Sequence, residues 1–349
     1  MDAALAQFRD RIRGVRATDS SLRLRGAGTK DFYGEQFVGE LLDTRGYSGI
    51  VSYEPSELVV TARCGTPLSE LENVLAERGQ FLAFEPPRFG DDPTIGGVVA
   101  AGLSGPRRAN AGAVRDFVLG ATLLNANGEV LRFGGQVMKN VAGFDVSRLL
   151  CGSLGILGLI TEVSLKVLPR PRAEMTLRFE MEGTHAIEQF NRWNAQALSV
   201  SATAWHDGIA YLRLSGAASA VDAASCALGG ETFDPATGFW DSLRDQTHAT
   251  FSVQRLWRLS LPVTAPLDLP SVRLIEWAGA IRWLASEAPA VEIRTAAARA
   301  GGHATLWRGA RDTTMFHPLD VAVLGLHRRL KQRFDPDGIF NRGRLVAEL

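Results

Sequence analysis

Cysteine is scarce in this sequence, with three residues among 349, at positions 64, 151 and 226. Their odd number and wide spacing argue against a disulfide framework and against an iron–sulfur cluster, which takes four grouped thiolates. Long apolar runs are missing too, since no stretch approaches the roughly 20 residues that cross a bilayer. The N-terminal segment carries charges where a secretory signal has an unbroken apolar core. These absences predict a cytoplasmic protein.

An excess of either charge is also missing, because 38 basic and 38 acidic side chains give a formal net charge of zero. General nucleic-acid binders depend on a cationic excess, so we expect no nucleic-acid partner. Glycine and proline, with 36 and 15 residues, stay near globular norms and exclude collagen-like and disordered chains. At about 150 residues per domain, the length predicts two domains with buried cores.

Glycine and tryptophan are unevenly distributed along the chain. Of the 36 glycines, 23 lie at or before residue 171, whereas all seven tryptophans lie after it. The alternating prolines of residues 168–172 favour extended backbone and cannot continue a strand ladder, so they mark the seam. We therefore predict a first domain at 1–171, a second domain at 172–310, and a C-terminal helix and tail at 311–349 that pack on the first domain.

The first part of the chain mixes helical and strand patterns. Helical spacing of apolar residues predicts a helix over 2–14, and alternation predicts strands over 21–24, 58–62, 118–124 and 161–168. Thr66 and Pro67 are typical of an N-cap and a first helical position. Asn127-Gly128 predicts a hairpin with a type I′ turn. These elements indicate an α+β domain with antiparallel pairing.

The second part is predicted to be α+β as well, with an antiparallel sheet and helices. Its predicted strands lie at 176–182, 253–261, 290–295 and 303–308, together with a hairpin across Asp207-Gly208. Its predicted helices lie at 184–198, 219–228 and 271–286. A last helix over 318–333 carries an apolar face made of Leu319, Val323, Leu326, Leu330 and Phe334.

Small residues cluster in the first part in four segments, at 26–28, 94–97, 102–105 and 143–158. Where side chains are absent, backbone N–H groups approach a phosphate closely and form an anion site, so the segments suggest a large phosphorylated cofactor. The alternative is that each glycine only serves a turn. Neither a complete dinucleotide fingerprint nor a nucleotide phosphate loop is present, which disfavours a Rossmann site and ATP-driven chemistry.

Several motifs follow one another in the order found in a known family. They are LRGAGTK (24–30), PTIGGVVA (93–100), AVRD (113–116), NGE (127–129), KNVAGFD (139–145), LLCGSLG (149–155), GLIT (158–161) and FDPDGIFN (334–341). The sequence resembles the FAD-linked oxidases of the vanillyl-alcohol-oxidase and p-cresol-methylhydroxylase type. Within that family it is similar to the FAD-binding subunits of glycolate oxidases. The resemblance implies that family's FAD-binding domain, a cap domain, and a tail that returns to the FAD-binding domain.

The resemblance also implies roles for particular residues. Those that resemble the cofactor-binding positions are Arg25, Gly26, Ala27, Gly28, Thr29, Lys30, Thr94, Gly96, Gly97, Gly102, Ser104, Gly105, Ile160 and Asn341. The first six form a loop that resembles the pyrophosphate loop, and Ile160 resembles the position that meets the adenine. Asn341 resembles a residue near the flavin, although Arg342 replaces the proline usual in that tail. Asp145, Gly152 and Ser153 are expected to support the wall of the site that lies beside the diphosphate and the flavin ring.

The sequence signals for covalent attachment of FAD and for catalytic residues are weaker than those for FAD binding. Family members often bind FAD covalently through a histidine in the pyrophosphate loop, where this chain has Thr29 and Lys30, so we expect noncovalent FAD. A thioether to Cys151 is disfavoured, because Leu-Leu-Cys-Gly is typical of a buried segment. The histidines of the predicted cap show no close metal-ligand spacing, so no metal is predicted and the catalytic residues stay unassigned. His317 and His327 are the stronger histidine candidates beside the flavin.

Three functions remain open from the sequence. The first is the FAD-binding subunit of a glycolate oxidase or dehydrogenase, which oxidises glycolate, a small 2-hydroxy acid, to glyoxylate. Its partners would be a sister FAD-containing subunit and an iron–sulfur subunit that receives the electrons, with peripheral association at the inner face of the cytoplasmic membrane through the complex. The second is a self-sufficient FAD-dependent oxidase of another 2-hydroxy acid or alcohol. The third is a scaffold without cofactor.

Overall fold

The structure is a computed structural model that describes residues 2–18, 20–36, 38–135, 145–234, 236–266 and 271–349. The chain forms two compact units. The first comprises residues 1–103, 113–169 and 318–349, and the second comprises 104–112 and 170–317. Among the described residues, no helix is both long and apolar enough to span a bilayer.

The elements follow one another in a mixed order. The helices are α1 Ala3–Ala17, α2 Leu68–Ala76, α3 Ile95–Ala101, α4 Arg108–Ala111, α5 Val114–Phe117, α6 Val146–Leu149, α7 Gly183–Asn194, α8 Ala218–Leu228, α9 Ala236–Arg244, α10 Ala290–Arg299 and α11 Val321–Phe334. The strands are β1 Leu22–Arg25, β2 Glu40–Asp43, β3 Ile50–Glu54, β4 Val59–Arg63, β5 Gln80–Phe81, β6 Val118–Leu124, β7 Val130–Gly134, β8 Leu159–Lys166, β9 Leu168–Pro169, β10 Ala173–Glu180, β11 Val200–His206, β12 Ile209–Gly216, β13 Glu231–Thr232, β14 Leu256–Ser260, β15 Val272–Glu276, β16 Ile281–Ala285 and β17 His303–Arg308.

The first unit is built on an antiparallel sheet of strand order β3-β4-β8-β6-β7. The unit also contains a parallel pair, β1-β2, and Leu22 of β1 bridges to Phe340 of the tail. Helix α1 buries Phe8, Ile12 and Val15 in one apolar core with Leu22 and Phe340. The tail is therefore part of the core of the first unit.

The second unit contains an antiparallel sheet of strand order β13-β10-β12-β11-β15-β16-β14-β17. Helices α7 and α8 bury Phe190, Trp193 and Val221 against one part of this sheet. Ile293 and Ala297 of α10 pack with Trp257 at another part. The predicted α+β class, with antiparallel sheets and helices, is confirmed.

Two local predictions in the first unit are wrong. The hairpin at Asn127-Gly128 forms between β6 and β7, but only Gly128 has a positive φ, of 73°, so the turn is not type I′. The Asn125 side chain accepts hydrogen bonds from the backbone N–H groups of Asn127 and Glu129, which favours a longer loop with a left-handed glycine. The N-cap of α2 is Pro67, because the Thr66 hydroxyl instead hydrogen bonds to the backbone of Gly49.

For two segments of the second unit, the predicted type of secondary structure is wrong. The segment 271–286 forms strands β15 and β16 around a short 3-10 turn, in which Trp277 and Ala278 take φ values of 52° and 57°. The hairpin is stabilised across its strands, since the Trp283 indole donates to the Glu276 carboxylate at 2.6 Å. Segment 290–295 is the start of helix α10, which follows Pro289 and ends in an alanine-rich turn.

Candidate functional site

An open cleft lies in the first unit. The cleft is lined by Leu24, Arg25, Gly26, Ala27, Gly28, Thr29, Lys30, Asp31, Thr44, Cys64, Pro93, Thr94, Gly96, Gly97, Ala100, Ala101, Leu154, Gly155, Gly158, Leu159, Ile160, Asn341 and Arg344. Four separate segments of sequence thus contribute most of its wall.

The loop after β1 forms one wall and leaves no room for side chains at two positions. A Cβ at Gly26 would collide with the Thr94 hydroxyl, and a Cβ at Gly28 would collide with the Arg25 guanidinium. Gly28 also has a φ of 78°, in the left-handed region that favours glycine. Both positions therefore favour glycine, and small residues are what a diphosphate-binding loop requires.

A second wall comes from the start of α3. Thr94 caps the helix and accepts a hydrogen bond from the Gly97 N–H. Gly96 donates to the Cys64 carbonyl at 2.8 Å, and a Cβ at Gly96 would lie 2.6 Å from Cys64 Cβ. Burial raises the pKa of the Cys64 thiol to about 12, so this thiol is neutral at pH 7. The wall is therefore closely packed and uncharged at this point.

The tail closes the cleft from the other end of the sequence. Asn341 is buried, and its Oδ1 accepts a hydrogen bond from the Leu24 N–H at 2.8 Å. Its Nδ2 donates to the Leu154 carbonyl at 2.6 Å. Asn341 thus joins β1 to the 154–160 segment, and both contacted residues line the cleft.

Arg344 secures the outer part of the loop that follows β1. Its guanidinium donates to the carbonyls of Lys30, Asp31 and Glu35, at 3.1, 2.9 and 2.7 Å. Arg344 is buried, and planar guanidinium donors suit several fixed acceptors at once. The tail residue therefore fixes the path of a loop more than three hundred residues earlier.

A buried ion pair holds the tail in place behind the cleft. Lys331 Nζ lies 2.6 Å from Asp335 Oδ2, and the two side chains are 8% and 0% exposed. Lys331 also donates to the Ile156 and Phe340 carbonyls, while Asp335 accepts from the N–H groups of Ile339 and Phe340. Burial lowers the pKa of Lys331, and the nearby Asp335 carboxylate opposes that shift.

The charges around the cleft favour an anionic ligand. Its lining includes the cations Arg25, Lys30 and Arg344 and one carboxylate, Asp31. Asp31 is paired with Arg25, at 2.7 Å between Oδ2 and Nε. Cationic side chains together with backbone N–H donors form the strong, charge-assisted hydrogen bonds that phosphate oxygens accept.

Most of the predicted cofactor-binding residues line this cleft. Those that do are Arg25, Gly26, Ala27, Gly28, Thr29, Lys30, Thr94, Gly96, Gly97, Ile160 and Asn341. Gly102, Ser104 and Gly105 are not in its lining. Gly102 ends α3 with a φ of 68°, and a Cβ there would lie 2.7 Å from Gly152 Cα. Gly105, in the second unit, accepts a hydrogen bond from the Trp277 indole.

Other predicted features lie elsewhere. Residues 139–144 of the KNVAGFD motif are outside the described residues. Asp145 caps α6, and its carboxylate accepts from the Arg148 N–H. Cys151 does not line the cleft, and burial raises the pKa of its thiol to about 12. The thiol therefore lies away from the predicted flavin site.

The histidines are paired in the second unit in a way that sequence spacing did not predict. His206 and His248 are in edge-to-face contact, with ring centroids 5.0 Å apart, and His303 and His317 lie 6.5 Å apart. Burial lowers the pKa of His248, and the like charge of His206 adds to this. Within the described residues, no group of three His, Cys, Asp or Glu side chains is arranged to hold a metal ion.

The stronger histidine candidates do not reach the cleft either. His317 belongs to the second unit, and the His327 ring contacts the Val323 carbonyl of its own helix. Among the described lining residues there is no histidine, and the only carboxylate is the paired Asp31. The structure assigns no catalytic residue within the cleft.

Some lining residues were missed by the sequence analysis. They include Thr44, Cys64, Gly155 and Arg344. Thr44 donates to the Arg25 carbonyl, and a Cβ at Gly155 would lie 2.8 Å from Asn341 Nδ2. Gly155 is the last residue of the LLCGSLG motif, so a glycine in that motif was the signal that could have identified it as a lining residue. Nothing in the local sequence marks Arg344.

The residues present fit an FAD molecule in the cleft. Glycine at positions 26 and 96 lets the loop and the start of α3 pack closely around the cleft, because a Cβ there would meet Thr94 or Cys64, and the lining carries more cationic than anionic groups. The family model described as an FAD binding domain matches residues 4–134, which include the loop after β1 and the start of α3.

Comparison with curated proteins gives relatives over different shares of the chain. Glycolate oxidase subunit GlcE of Escherichia coli (strain K12) is 48% identical over 330 residues, which cover 94% of this chain and 93% of that protein. Glycolate oxidase subunit GlcD of Bacillus subtilis (strain 168) is 33% identical over 140 residues, covering 40% of this chain and 30% of that protein. D-lactate dehydrogenase of Anaerostipes hadrus is 32% identical over 139 residues, which cover 40% of this chain and 29% of that protein.

Among solved structures, alkyldihydroxyacetonephosphate synthase matches with a TM-score of 0.65 and 15% identity, covering 95% of this chain and 73% of that one. This likeness confirms the predicted fold. FAD is the cofactor that the matched domain binds, and the chain is an FAD-dependent oxidoreductase. With near full-length similarity to a curated subunit and a cleft suited to FAD, the chain belongs to the glycolate oxidase subunit GlcE family of FAD-linked oxidoreductases.

Proposed function

We propose that the chain is the FAD-binding subunit of a complex that oxidises glycolate to glyoxylate. A sister FAD-containing subunit and an iron–sulfur subunit complete this complex, and it associates with the inner face of the cytoplasmic membrane. The observation that supports this most directly is the 48% identity, over 94% of the chain, to a protein named as a glycolate oxidase subunit. The D-lactate dehydrogenase match covers only 40% of the chain.

We propose that the lining residues hold FAD in defined places. The backbone of Gly26, Ala27, Gly28 and Thr29 binds the diphosphate, because the loop has no side chains in the way and cations lie beside it. Ile160 contacts the adenine end, and Asn341 lies by the flavin.

Bound FAD supplies the two-electron acceptor that oxidation of a C–H bond beside a hydroxyl group requires. Oxidation of glycolate to glyoxylate releases two electrons and two protons, and in this proposal the electrons pass through the flavin to the iron–sulfur subunit. The chain's own contribution in this proposal is to bind and orient. Arg344 and Asn341 hold the loop and the 154–160 segment in fixed positions around the cofactor.

We propose that the flavin is held without a covalent bond. The lining residues that the structure describes include no histidine, and burial keeps the lining thiol of Cys64 in its neutral, weakly nucleophilic form. Acid precipitation of the purified holoprotein should therefore leave the flavin in the supernatant. Yellow colour that stays with the pellet would contradict noncovalent binding.

The experiment that tests the function compares the chain alone with the complex. The chain is expressed alone and together with the two proposed partner subunits, and each preparation is assayed for glycolate oxidation with a dye acceptor. We expect flavin absorption in both preparations and full glycolate-dependent activity only in the complex. Full activity of the isolated chain would favour the self-sufficient oxidase, and a colourless chain that does not take up FAD would favour the scaffold.

Substrate choice is tested with the same preparations. Glycolate, D-lactate and L-lactate are compared by kcat/KM in the purified complex. We expect glycolate to be preferred. A preference for D-lactate would contradict the proposed substrate while leaving the FAD site intact.

A further inference from the structure

Segment 85–92, which precedes α3, has a backbone conformation that side chains rarely adopt. Glu85, Phe89 and Asp92 take φ values of 47°, 54° and 37°, in the left-handed region that favours glycine. Phe89 has the largest side chain of the three, and a positive φ is most unusual for a bulky residue. Strained backbone persists only where other contacts hold it, and such positions are concentrated at functional sites. The contacts of Phe89 therefore indicate what the strain serves.

Helix α2 holds the segment on both sides of Phe89. Before it, Arg88 forms an ion pair with Glu72. After it, the Asp92 carboxylate accepts hydrogen bonds from the Ser69 hydroxyl and from the Ser69 N–H, the latter at 2.9 Å. Phe89 thus lies between two contacts with the same helix, which fix its place.

The Phe89 ring lies against the loop after β1. The Lys30 ammonium lies over the ring, 5.6 Å from its centroid, which is within the range of a cation–π contact. The Phe32 ring meets the Phe89 ring edge to face, with centroids 5.3 Å apart. At the next position, a Cβ at Gly90 would lie 3.7 Å from Thr29 Cγ2. The segment therefore packs on residues of the loop that line the cleft.

Lys30 is restrained at both ends of its side chain. Its carbonyl accepts a hydrogen bond from the Arg344 guanidinium at 3.1 Å, and its Nζ donates to the Thr29 hydroxyl at 3.3 Å. Immobilising a long lysine side chain when a ligand binds costs conformational entropy. Contacts that restrict the side chain beforehand reduce this cost. A cation that is held at the cleft in advance therefore binds an anion more tightly.

We infer that Phe89 is a positioning residue for the cofactor: its ring holds the Lys30 ammonium at the wall of the cleft, where this cation contributes to binding of the FAD diphosphate. The inference rests on the proposed function, which assigns the diphosphate to residues 26–29. Phe89 is not among the lining residues, so it acts through Lys30. The strained backbone at Phe89 then exchanges some stability of the fold for affinity toward FAD.

The test is a double-mutant cycle on the full-length, deflavinated chain, with the dissociation constant of FAD measured by flavin fluorescence. Phe89→Leu keeps an apolar side chain but removes the aromatic face, and Lys30→Met removes the charge. We expect Phe89→Leu to weaken FAD binding about threefold, as loss of an exposed cation–π contact does. Combined with Lys30→Met, Phe89→Leu should have no further effect, because the ring then has no cation to hold.

Two more variants separate positioning from packing. Phe89→Tyr retains the aromatic face and should bind FAD as the wild type does. Phe133→Leu is the matched control, because Phe133 is a half-buried phenylalanine of the same unit that contacts the Phe334 ring and does not line the cleft. It should also bind FAD with the wild-type affinity.

Competition against FAD identifies the part of the cofactor that is concerned. ADP carries the diphosphate, so it should bind about threefold more weakly to Phe89→Leu than to the wild type, whereas adenosine should bind both equally. An equal loss of adenosine affinity would overturn the inference, since the ring would then not act through the diphosphate.

Two results of the cycle would also overturn it. One is unchanged FAD affinity in Phe89→Leu, and the other is the same loss with and without Lys30, which would show that the ring acts by packing alone. In both results the wild type still binds FAD and the proposed function stands. A wild-type chain that takes up no FAD would contradict the proposed function and the inference with it.

Discussion

Lys331 and Asp335 form an ion pair one helical turn apart, with 2.6 Å between Nζ and Oδ2, in the interior of the first unit. Asp335 accepts the N–H groups of Ile339 and Phe340, and the next residue is Asn341, whose side chain joins two walls of the cleft. The pair is thus linked through a few backbone bonds to the walls of the cleft.

Removing one member of this pair is expected to destabilise the protein strongly. Lys331→Met leaves the Asp335 carboxylate buried without its cation, which costs about 3–5 kcal/mol. The free energy of unfolding is measured in guanidinium chloride, with Gln332→Met, at an exposed position on the same helix, as the control. Equal stability of the two variants would contradict the role assigned to Lys331.

Gly26→Ala is expected to weaken FAD binding at least tenfold, about 1.4 kcal/mol. The new Cβ would meet the Thr94 hydroxyl, so the loop must move away from the start of α3. Gly46→Ala is the matched control, because no atom lies within 4 Å of a Cβ there. The dissociation constant is measured by flavin fluorescence on the deflavinated protein. Unchanged affinity in Gly26→Ala would argue against FAD lying along this loop.

Arg344→Gln is expected to weaken FAD binding about tenfold, because it removes the donors that hold the Lys30, Asp31 and Glu35 carbonyls. Arg342→Gln serves as the control, since that guanidinium is exposed and contacts only carbonyls of its own turn. Limited proteolysis followed by mass spectrometry reports whether the loop becomes susceptible. If both variants bind FAD as the wild type does, Arg344 has no part in shaping the loop.

Stability is expected to fall at alkaline pH. Burial, aided by the hydrogen bond to Glu162, raises the pKa of Tyr47 from 10.0 to about 12, and burial raises the pKa of the Cys64 thiol from 9.0 to about 12. Groups whose pKa is higher in the folded state lose their stabilising contribution as the pH rises from the unfolded toward the folded pKa. The free energy of unfolding should therefore decrease between about pH 9 and about pH 12.

The Tyr47→Phe variant separates the contribution of the phenol from that of the thiol. It should be about 1 kcal/mol less stable near neutral pH, where the hydrogen bond to Glu162 is lost, and its stability should fall less steeply with pH. Urea unfolding followed by tryptophan fluorescence measures both quantities. A wild-type curve that stays flat over this range would show that neither group is held in its protonated form by the fold.

Much of the cleft could be predicted from the sequence, because its walls are short continuous segments made of small residues. The glycine-rich segments 26–28 and 94–97 are marked by composition, because close backbone approach requires small residues, whereas Arg25, Lys30 and Thr94 were identified by the resemblance. Asn341 was placed by resemblance, since its partners Leu24 and Leu154 are distant in sequence. Arg344 had no such signal, because an arginine that donates to backbone carbonyls looks the same in sequence as one on the surface.

The misassigned elements of the second unit have a different cause. The segment 271–286 has apolar residues that suit a helix as well as a pair of strands, and its turn is made by Trp277 and Ala278 in a left-handed conformation that sequence rarely signals. In 290–295, alternation of Val291 and Ile293 suggested a strand, yet Pro289 and the alanines that follow favour a helix. Strand pairing in the folded unit determines the structure of 271–286, whereas local helix propensity determines the structure of 290–295.

The tail also determines when the protein can acquire its cofactor during biosynthesis. Asn341 bonds to Leu24 and Arg344 to Lys30, so the earliest and latest translated parts of the first unit meet in one wall. Nascent chains fold from the N-terminus as they emerge. Residue 344 must therefore leave the ribosome before this wall is complete, so we expect the chain to take up flavin only after its translation is finished.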